Sequence, residues 1–266
     1  MKGFYASMIL VLALLTGCMK QIPYEPSQIE NFFARSENIQ LEFTTDKGRQ
    51  VAFYVPPIKN PDVPPERIAL LYPGIESVAL GWMRFIEMEK SERTGYLLID
   101  YPGRGLSEGT MRPEENYLNS EGALLALAKH FGLKQLEAEY SLMGHSFGTG
   151  AALQFAARHP VRKIVLVAPF TTLRKAVAVK SWILSILMPA QIDNRKLIQH
   201  ILSSDSPPEI IILHGAEDTS LPVTMGRELA AIDPERIVYH EFPEDDHVTI
   251  LTSQRDLIFS GLNGSE

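Results

Sequence analysis

Short apolar runs recur along this sequence, and longer helix-like stretches separate them. The runs cover residues 68–72, 96–99, 140–143, 163–168, 209–213 and 237–242, and the stretches cover 77–90, 113–130, 146–158, 222–231 and 248–262. Apolar strands that alternate with helices are typical of a twisted, mostly parallel sheet with helices on both faces. The sequence therefore predicts an α/β fold, in which ligands bind at the carboxyl ends of the strands.

An antiparallel hairpin is predicted ahead of these runs. Residues 39–45 and 49–55 alternate apolar and polar side chains around the turn sequence Asp46-Lys47-Gly48, which places the hairpin at one edge of the sheet. The chain has 266 residues, of which 45% are hydrophobic, and this suits a single domain with a sizeable core. We assign that domain to residues 39–266.

The N-terminus has the pattern of an export signal. Met1-Lys2 is followed by an apolar stretch, residues 8–15, which is too short for a helix to cross ~30 Å of hydrocarbon. The sequence Leu15-Thr16-Gly17-Cys18 resembles a bacterial lipobox, in which the cysteine is acylated after cleavage. The resemblance implies a signal peptide at 1–17 and a lipid on Cys18, with a plain secretory signal or a buried cysteine as alternatives.

The resemblance also implies a location. Met19 rather than Asp follows the cysteine, which in enteric-type sorting implies lipid anchoring at the outer membrane of a bacterial cell envelope. Residues 18–38 include Pro23 and Pro26 and lack sustained periodicity, so they are predicted to form a tether between the lipid and the domain.

Composition argues against several partner classes. The net charge is −7, and the 25 Lys and Arg residues are scattered, so no basic surface for nucleic acid is predicted. Cys18 is the only cysteine, which excludes a disulfide within the chain. No metal-type Cys/His spacing is present, and we expect neither a metal nor a cofactor. No obligate protein partner is inferred.

A serine nucleophile is predicted at Ser146. The apolar run at 140–143 leads into Gly144-His145-Ser146-Phe147-Gly148, and a helix-like stretch of small residues follows at once. This is the G-x-S-x-G pattern between a strand and a helix, where glycines leave room for a sharp turn that exposes the serine. A serine that caps the following helix is the alternative, although it would not explain the glycine on each side.

The general base is predicted to be His247. Four histidines follow the run at 163–168: His200, His214, His240 and His247. His240 lies within a predicted strand and His214 precedes a glycine turn, whereas His247 lies in a polar loop between the last strand and the last helix. A side chain in that loop can reach over the sheet end to a serine. An exposed loop histidine is the alternative.

The acid is predicted in the loop that leaves the run at 209–213. Asp218 follows His214-Gly215 at the third position, and a helix opens at Pro222. This His-Gly-x-x-Asp sequence resembles the acid loop of the α/β-hydrolases. The resemblance implies that Asp218 orients His247 and stabilises its charged form, with neighbouring Glu217 as the competitor.

Two backbone N–H groups are needed to bind the developing oxyanion. The first is predicted at Phe147, directly after the nucleophile. The second is expected in the loop after residues 68–72, where Pro73-Gly74 stands in place of the His-Gly of relatives. Alignment on Gly74 implies that Ile75 is the donor.

A further block resembles one branch of the same superfamily. Residues 100–109, Asp-Tyr-Pro-Gly-Arg-Gly-Leu-Ser-Glu-Gly, are similar to the D-x-x-G-x-G-x-S segment of lipase-like and serine-aminopeptidase-like members. We interpret the block as structural, with Asp100 and Ser107 bonding loop backbone, rather than assign a catalytic role to Asp100. The resemblance extends over nearly the whole chain from about Ile39 and implies an α/β-hydrolase fold.

A long insertion at residues 171–208 is predicted to form a short helical cap over Ser146. Its run of Val177, Val179, Trp182, Ile183, Leu184, Ile186, Leu187 and Met188 before Pro189 is helix-like and almost wholly apolar. Three interpretations stay open: the helix packs on the domain, rests on a membrane, or roofs an acyl-chain pocket.

The expected activity is hydrolysis of a small acyl substrate by a serine hydrolase. A carboxylesterase or lysophospholipase-like enzyme that acts through an acyl-enzyme is the favoured hypothesis. A peptidase, amidase or thioesterase with the same three residues is the alternative, and a hydrolase-fold protein that binds without catalysing is a second one.

Overall fold

The apolar runs form the strands of one sheet in a computed structural model, which describes residues 22–187 and 192–263. The strands are β1 (Ile39–Thr45), β2 (Gly48–Val55), β3 (Arg67–Tyr72), β4 (Thr94–Ile99), β5 (Glu139–His145), β6 (Lys163–Val167), β7 (Glu209–Gly215) and β8 (Ile237–Phe242). Their order across the sheet is β1-β2-β4-β3-β5-β6-β7-β8. The pairs β1–β2 and β2–β4 are antiparallel and the others are parallel. The predicted α/β fold is confirmed.

Helices cover both faces of this sheet. They are α1 (Pro26–Phe33), α2 (Met83–Ile86), α3 (Tyr117–His130), α4 (Gly148–Ala156), α5 (Leu173–Lys180), α6 (Trp182–Leu187), α7 (Asn194–Leu202), α8 (Thr224–Ala230), α9 (Ile250–Ser253) and α10 (Arg255–Asn263). Leu70 of β3 and Leu127 of α3 belong to one core cluster, whereas Leu71 of β3 and Phe259 of α10 belong to the other. The strands are therefore buried on both sides, as their continuous apolar runs predict.

The helix predicted at 77–90 is much shorter than its pattern suggests. A 3-10 helix at Ala79–Trp82 leads into α2, which ends at Ile86. The carboxylate of Asp100 accepts a hydrogen bond from the Ala79 N–H at 2.8 Å. This hydrogen bond to the loop after β4 fixes the start of the 3-10 helix. The spacing of apolar residues within 77–90 cannot indicate such a long-range contact.

The described part of the predicted tether is packed on the domain. Phe32 of α1 is buried with its ring 4.9 Å from that of Phe53, and the ring of Tyr24 lies 5.5 Å from the same side chain. Ile22 pairs with Arg104 in a parallel bridge. The prediction of a free tether is therefore wrong for residues 22–38, because their aromatic side chains bury apolar area against β2. Residues 1–21, including Cys18, lie outside the described residues.

Three short helices, α5 to α7, make up the cap between β6 and β7. Thr172 accepts a hydrogen bond from the Lys175 N–H at the start of α5, and Asp193 accepts from Arg195 and Lys196 at the start of α7. The predicted apolar helix is divided at Ser181, whose backbone is extended (φ −158°, ψ 108°). Within the described ranges, no helix has the length and apolar character needed to cross a membrane.

Candidate active site

The turn from β5 to α4 has the strained geometry expected of an exposed nucleophile. Ser146 has a φ of +55°, which non-glycine residues seldom adopt, and its N–H donates to the Val167 carbonyl of β6 at 2.9 Å. A Cβ on Gly144 would lie 2.6 Å from the Gly148 carbonyl oxygen, and one on Gly148 would overlap the Tyr72 carbonyl oxygen. Both glycines are therefore required by close backbone contacts across this turn.

The structure brings the three predicted catalytic residues together. Ser146, Asp218 and His247 follow the carboxyl ends of β5, β7 and β8. His247 Nε2 lies 2.9 Å from Ser146 Oγ, and His247 Nδ1 lies 2.7 Å from Asp218 Oδ2. This is the arrangement in which a carboxylate orients an imidazole against a serine hydroxyl.

The carboxylate of Asp218 is held by its own loop. Its Oδ1 accepts the N–H groups of Ser220 and Leu221, both at 2.8 Å, which leaves Oδ2 for His247. Burial disfavours its charged form, but hydrogen bonds from His214 and His247 outweigh burial and hold the pKa of Asp218 well below its usual range. The competing Glu217 is exposed. Asp218, and not Glu217, therefore contacts His247.

The loop that carries His247 is anchored from both sides. Asp245 is buried and accepts hydrogen bonds from Ser253 Oγ at 2.6 Å and Gln254 Nε2 at 3.0 Å. A Cβ on Gly215 would overlap the Asp245 carbonyl oxygen, so the acid loop and the histidine loop pass each other closely. The glycine of the His-Gly-x-x-Asp sequence is needed for this approach.

The two predicted oxyanion donors lie next to the serine. A Cβ on Gly74 would lie 3.6 Å from Ser146 Cβ, so the loop after β3 runs beside the turn. Neither the Ile75 N–H nor the Phe147 N–H donates to a backbone carbonyl of the described residues. Both groups are thus available to an oxygen bound at Ser146, and their role as donors stays a prediction.

Residues of the Asp100–Gly109 block hold the loop that carries Ile75. The hydroxyl of Tyr101 donates to the Pro73 carbonyl at 2.8 Å, and Arg104 Nη2 donates to the Ile75 carbonyl at 3.1 Å. Both side chains are buried. The block therefore fixes the two carbonyls that flank the predicted Ile75 donor.

The predicted structural roles of Asp100 and Ser107 agree with the contacts that these residues make. Asp100 is buried and accepts from the Ala79 N–H and from the hydroxyl of Tyr24. Ser107 Oγ accepts from the Val51 N–H at 2.9 Å. The sequence placed Tyr24 in the predicted tether, because no pattern in the neighbouring residues indicates its contact with the distant Asp100.

Comparisons with known proteins identify the fold. A solved α/β-hydrolase from Vibrio vulnificus superposes with a TM-score of 0.71 at 15% identity, over 91% of this chain and 88% of that one. An esterase from Pyrococcus furiosus superposes with a TM-score of 0.67 at 15% identity, over 91% and 95%. The chain therefore has the α/β-hydrolase fold.

Sequence comparisons are consistent with this fold but cover less of the chain. The family described as serine aminopeptidase, S33, matches residues 93–209, which include Ser146 and stop before Asp218 and His247. Two curated relatives, uncharacterized proteins of two Mycobacterium tuberculosis strains, are 32% identical over 146 residues, or 53% of this chain. The chain spans about half the length of these relatives.

Two further histidines, neither of which was predicted from the sequence to have a site role, support the three predicted catalytic residues. His145 Nε2 lies 2.8 Å from the His247 carbonyl, and His214 Nε2 lies 2.9 Å from the Leu221 carbonyl and 3.4 Å from Asp218 Oδ2. Carbonyls only accept, so each Nε2 carries a proton. The signal available in the sequence was their position inside the two motifs, directly before Ser146 and four residues before Asp218.

The cap differs from the expectation in one respect. The side chains of Trp182, Ile183 and Ile186 are 68%, 58% and 65% exposed. They therefore neither pack on the domain nor line an enclosed acyl pocket, because a pocket wall would be shielded from solvent. Val177, in contrast, is buried in the core cluster that contains Phe147.

Tyr101→Phe is expected to lower kcat for ester hydrolysis about 10-fold with little change in KM. The buried Pro73 carbonyl would lose its donor, so the loop that carries Ile75 would be less well fixed where charge develops. Steady-state kinetics measure this split. Tyr54→Phe is the control, since the buried Tyr54 hydroxyl has no partner among the described residues. Equal kinetics for both variants would contradict the positioning role of Tyr101.

The stability of two variants is expected to depend on pH with opposite signs. Burial raises the pKa of Asp100 to about 6, so the folded chain holds a proton that the unfolded chain releases from about pH 4 upward. Burial and neighbouring His247 lower the pKa of His145 to about 4. Between about pH 4 and pH 6.5, His145 is therefore protonated in the unfolded chain but not in the folded chain. The Asp100 contribution to stability therefore falls as pH rises through this window, whereas the His145 contribution rises.

Denaturant unfolding at pH 4 to 7 tests these signs. Relative to the parent, the free energy of unfolding of Asp100→Asn should increase with pH between about 4 and 6, at most by ~1.4 kcal/mol per pH unit. That of His145→Gln should decrease with pH in the same window. Parallel stability profiles for parent and variants would contradict both assignments.

Proposed function

We propose that this chain is a serine hydrolase that cleaves carboxylic esters through an acyl-enzyme. The observation that carries the proposal is the continuous line of hydrogen bonds from Ser146 Oγ through both ring nitrogens of His247 to Asp218 Oδ2. Ser146 is the nucleophile, His247 the general base, and Asp218 the carboxylate that orients the imidazole.

Acylation follows from this geometry. His247 Nε2 takes the hydroxyl proton as Ser146 Oγ bonds to the ester carbon, and the carbonyl electron pair moves to oxygen. The N–H groups of Ile75 and Phe147 bind that oxyanion. When the intermediate collapses, the alcohol leaves with the proton from His247. The low pKa of Asp218 keeps its carboxylate charged, which stabilises the imidazolium.

Deacylation repeats the same steps with water. His247 removes a proton from water as the water oxygen bonds to the acyl carbon, and the second oxyanion occupies the same donors. Collapse breaks the bond to Ser146 Oγ, which recovers its proton from His247. The products are a carboxylic acid and the free enzyme.

The substrate class proposed is an acyl ester or a lysophospholipid-like ester of medium to long chain. Leu173 and Val177, the buried apolar residues of the first cap helix, share a core cluster with Phe147, which follows Ser146, and they support an apolar acyl group. Peptide or amide cleavage is the second candidate, favoured by the match of residues 93–209 to the serine aminopeptidase family.

The test is kcat/KM for p-nitrophenyl esters of two to twelve carbons, beside aminoacyl p-nitroanilides, with Ser146→Ala as the blank. Each buried CH₂ contributes ~0.8 kcal/mol, so kcat/KM should rise about fourfold per methylene until the pocket is filled. Acetyl esters as the best substrates would refute the acyl-chain preference. Faster cleavage of the anilides would favour the peptidase. Failure of a fluorophosphonate to label Ser146 would favour a binding protein.

We also propose that the chain is anchored to the bacterial envelope, with the outer membrane favoured, through an acylated Cys18. The lipobox-like sequence Leu15-Thr16-Gly17-Cys18 supports this location. Growth with an alkynyl palmitate should label the parent chain and leave Cys18→Ala unlabelled. Equal labelling of both would refute acylation at this residue.

A further inference from the structure

The cap presents an apolar face to solvent. Trp182, Ile183 and Ile186 of α6 have exposed side chains, and Val179 near the end of α5 is 38% exposed. Residues 182, 183 and 186 are spaced to share one side of a helix. We call these four residues, together with Lys180, the cap surface. Apolar side chains grouped in this way mark an interaction site more often than isolated ones do.

The charge of the cap is opposite to that of the whole chain. Between Thr171 and Ile192 the sequence carries Arg174, Lys175 and Lys180 and no Asp or Glu, whereas the net charge of the chain is −7. Lys175 pairs with Glu228 at 2.9 Å, while Lys180 is exposed at the junction with Trp182. A basic segment with an adjacent apolar face that includes Trp matches an anionic phospholipid surface in both charge and polarity.

The position of the cap surface is consistent with such a partner. The cap follows β6, whose carboxyl end lies at the same edge of the sheet as Ser146. Ile22 pairs with Arg104 in the loop after β4, which runs parallel to β3 and so ends at this edge as well. Ile22, the first described residue, therefore lies at the edge that carries the cap.

We propose that the cap surface docks on anionic phospholipid membranes. The side chains of Trp182, Ile183 and Ile186 enter the interfacial layer, and Lys180 meets the phosphate groups. This contact would bring the carboxyl edge of the sheet, and with it Ser146, next to lipid. The proposal deepens the lipid-ester function proposed above, but its measurement is binding, so it can fail while hydrolysis stands.

Tryptophan fluorescence tests the contact directly, because the chain has only two tryptophans. Trp82 is buried, and its Nε1 has no partner among the described residues, so Trp82→Phe removes no hydrogen bond and leaves Trp182 as the reporter. The full chain with Trp82→Phe and Cys18→Ala is titrated with phosphatidylcholine vesicles that contain 30% phosphatidylglycerol. We expect a blue shift of Trp182 emission, at least fivefold less quenching by acrylamide, and quenching by brominated lipid.

Two comparisons make the result specific. Ile183→Glu with Ile186→Glu should weaken vesicle partitioning at least 10-fold, whereas Leu125→Glu, an equally exposed leucine on α3, should not change it. Salt at 0.5 M, or vesicles of phosphatidylcholine alone, should also weaken it. The proposal would be overturned if the protein sedimented with the vesicles while acrylamide quenched Trp182 as strongly as it does without lipid. If acrylamide quenching of Trp182 fell as protein concentration rose in the absence of lipid, the proposal would also be overturned, and the cap surface would instead bind a second copy of the chain.

Discussion

Ser146→Ala is expected to reduce kcat for ester hydrolysis by a factor on the order of 10⁵ to 10⁶ while the chain stays folded. The variant loses the atom that forms the acyl bond, and any residual rate depends on the oxyanion donors alone. Its stability should change little, since alanine keeps the Cβ and meets the same φ of +55° between Gly144 and Gly148. Single-turnover kinetics and thermal unfolding measure the two effects separately.

The outcome for Ser146→Ala decides the central assignment. Labelling by a fluorophosphonate should disappear together with turnover, because probe and substrate need the same oxygen. Thr149→Ser, in the first turn of α4, is the matched control and should keep activity, since its hydroxyl can still donate to the Ser146 carbonyl as Thr149 does at 2.6 Å. Wild-type turnover by a folded Ser146→Ala chain would remove Ser146 from the mechanism.

Asp218→Asn is expected to lower kcat about 10⁴-fold. One carboxylate oxygen of Asp218 now accepts from His247 Nδ1, and the other accepts from the N–H groups of Ser220 and Leu221. In the variant, the amide NH₂ group would replace one of these two acceptors. An amide cannot stabilise the imidazolium as a carboxylate does, and it favours the wrong tautomer of the ring. KM should change much less than kcat, because Asp218 acts through His247 rather than on the substrate.

Glu217→Gln is the control that the chain itself offers for Asp218→Asn. Glu217 is the adjacent carboxylate, and its side chain is exposed. We expect its removal to leave kcat within a factor of about two, as is usual for surface changes away from the site. If Glu217→Gln were the damaging change and Asp218→Asn the mild one, the acid would have to be reassigned and the loop would have to rearrange on substrate binding.

Much of the fold and the triad could be predicted because the evidence for them is local. A strand buried on both faces is apolar along its whole length, as β6 and β7 are, and a parallel pair requires a helical crossover between its members. Ser146 lies in a motif that encodes its own turn geometry. Asp218 and His247 could be placed because each follows a strand at the edge where ligands bind.

The parts that the sequence did not predict depend on contacts between distant segments. Tyr24 and Phe32 are packed on β2 and on the Asp100 loop, but their own segment has no periodicity that points to those partners. Arg104 is a buried cation whose acceptor is a carbonyl beside the predicted oxyanion donor. The break at Ser181 separates α5 from α6, where Trp182 is exposed, although the apolar helix-like pattern continues across it.

The order of the sheet has a consequence for how activity arises during synthesis. Strands β5 to β8 lie side by side in chain order, and the nucleophile precedes the acid and the base by 72 and 101 residues in the sequence. A ribosome-bound chain that has emerged only through β6 already contains the Ser146 turn, but it has no partner for the hydroxyl. Because a domain generally folds as a unit, we expect Ser146 to meet Asp218 and His247 only after β7, β8 and their loops have emerged.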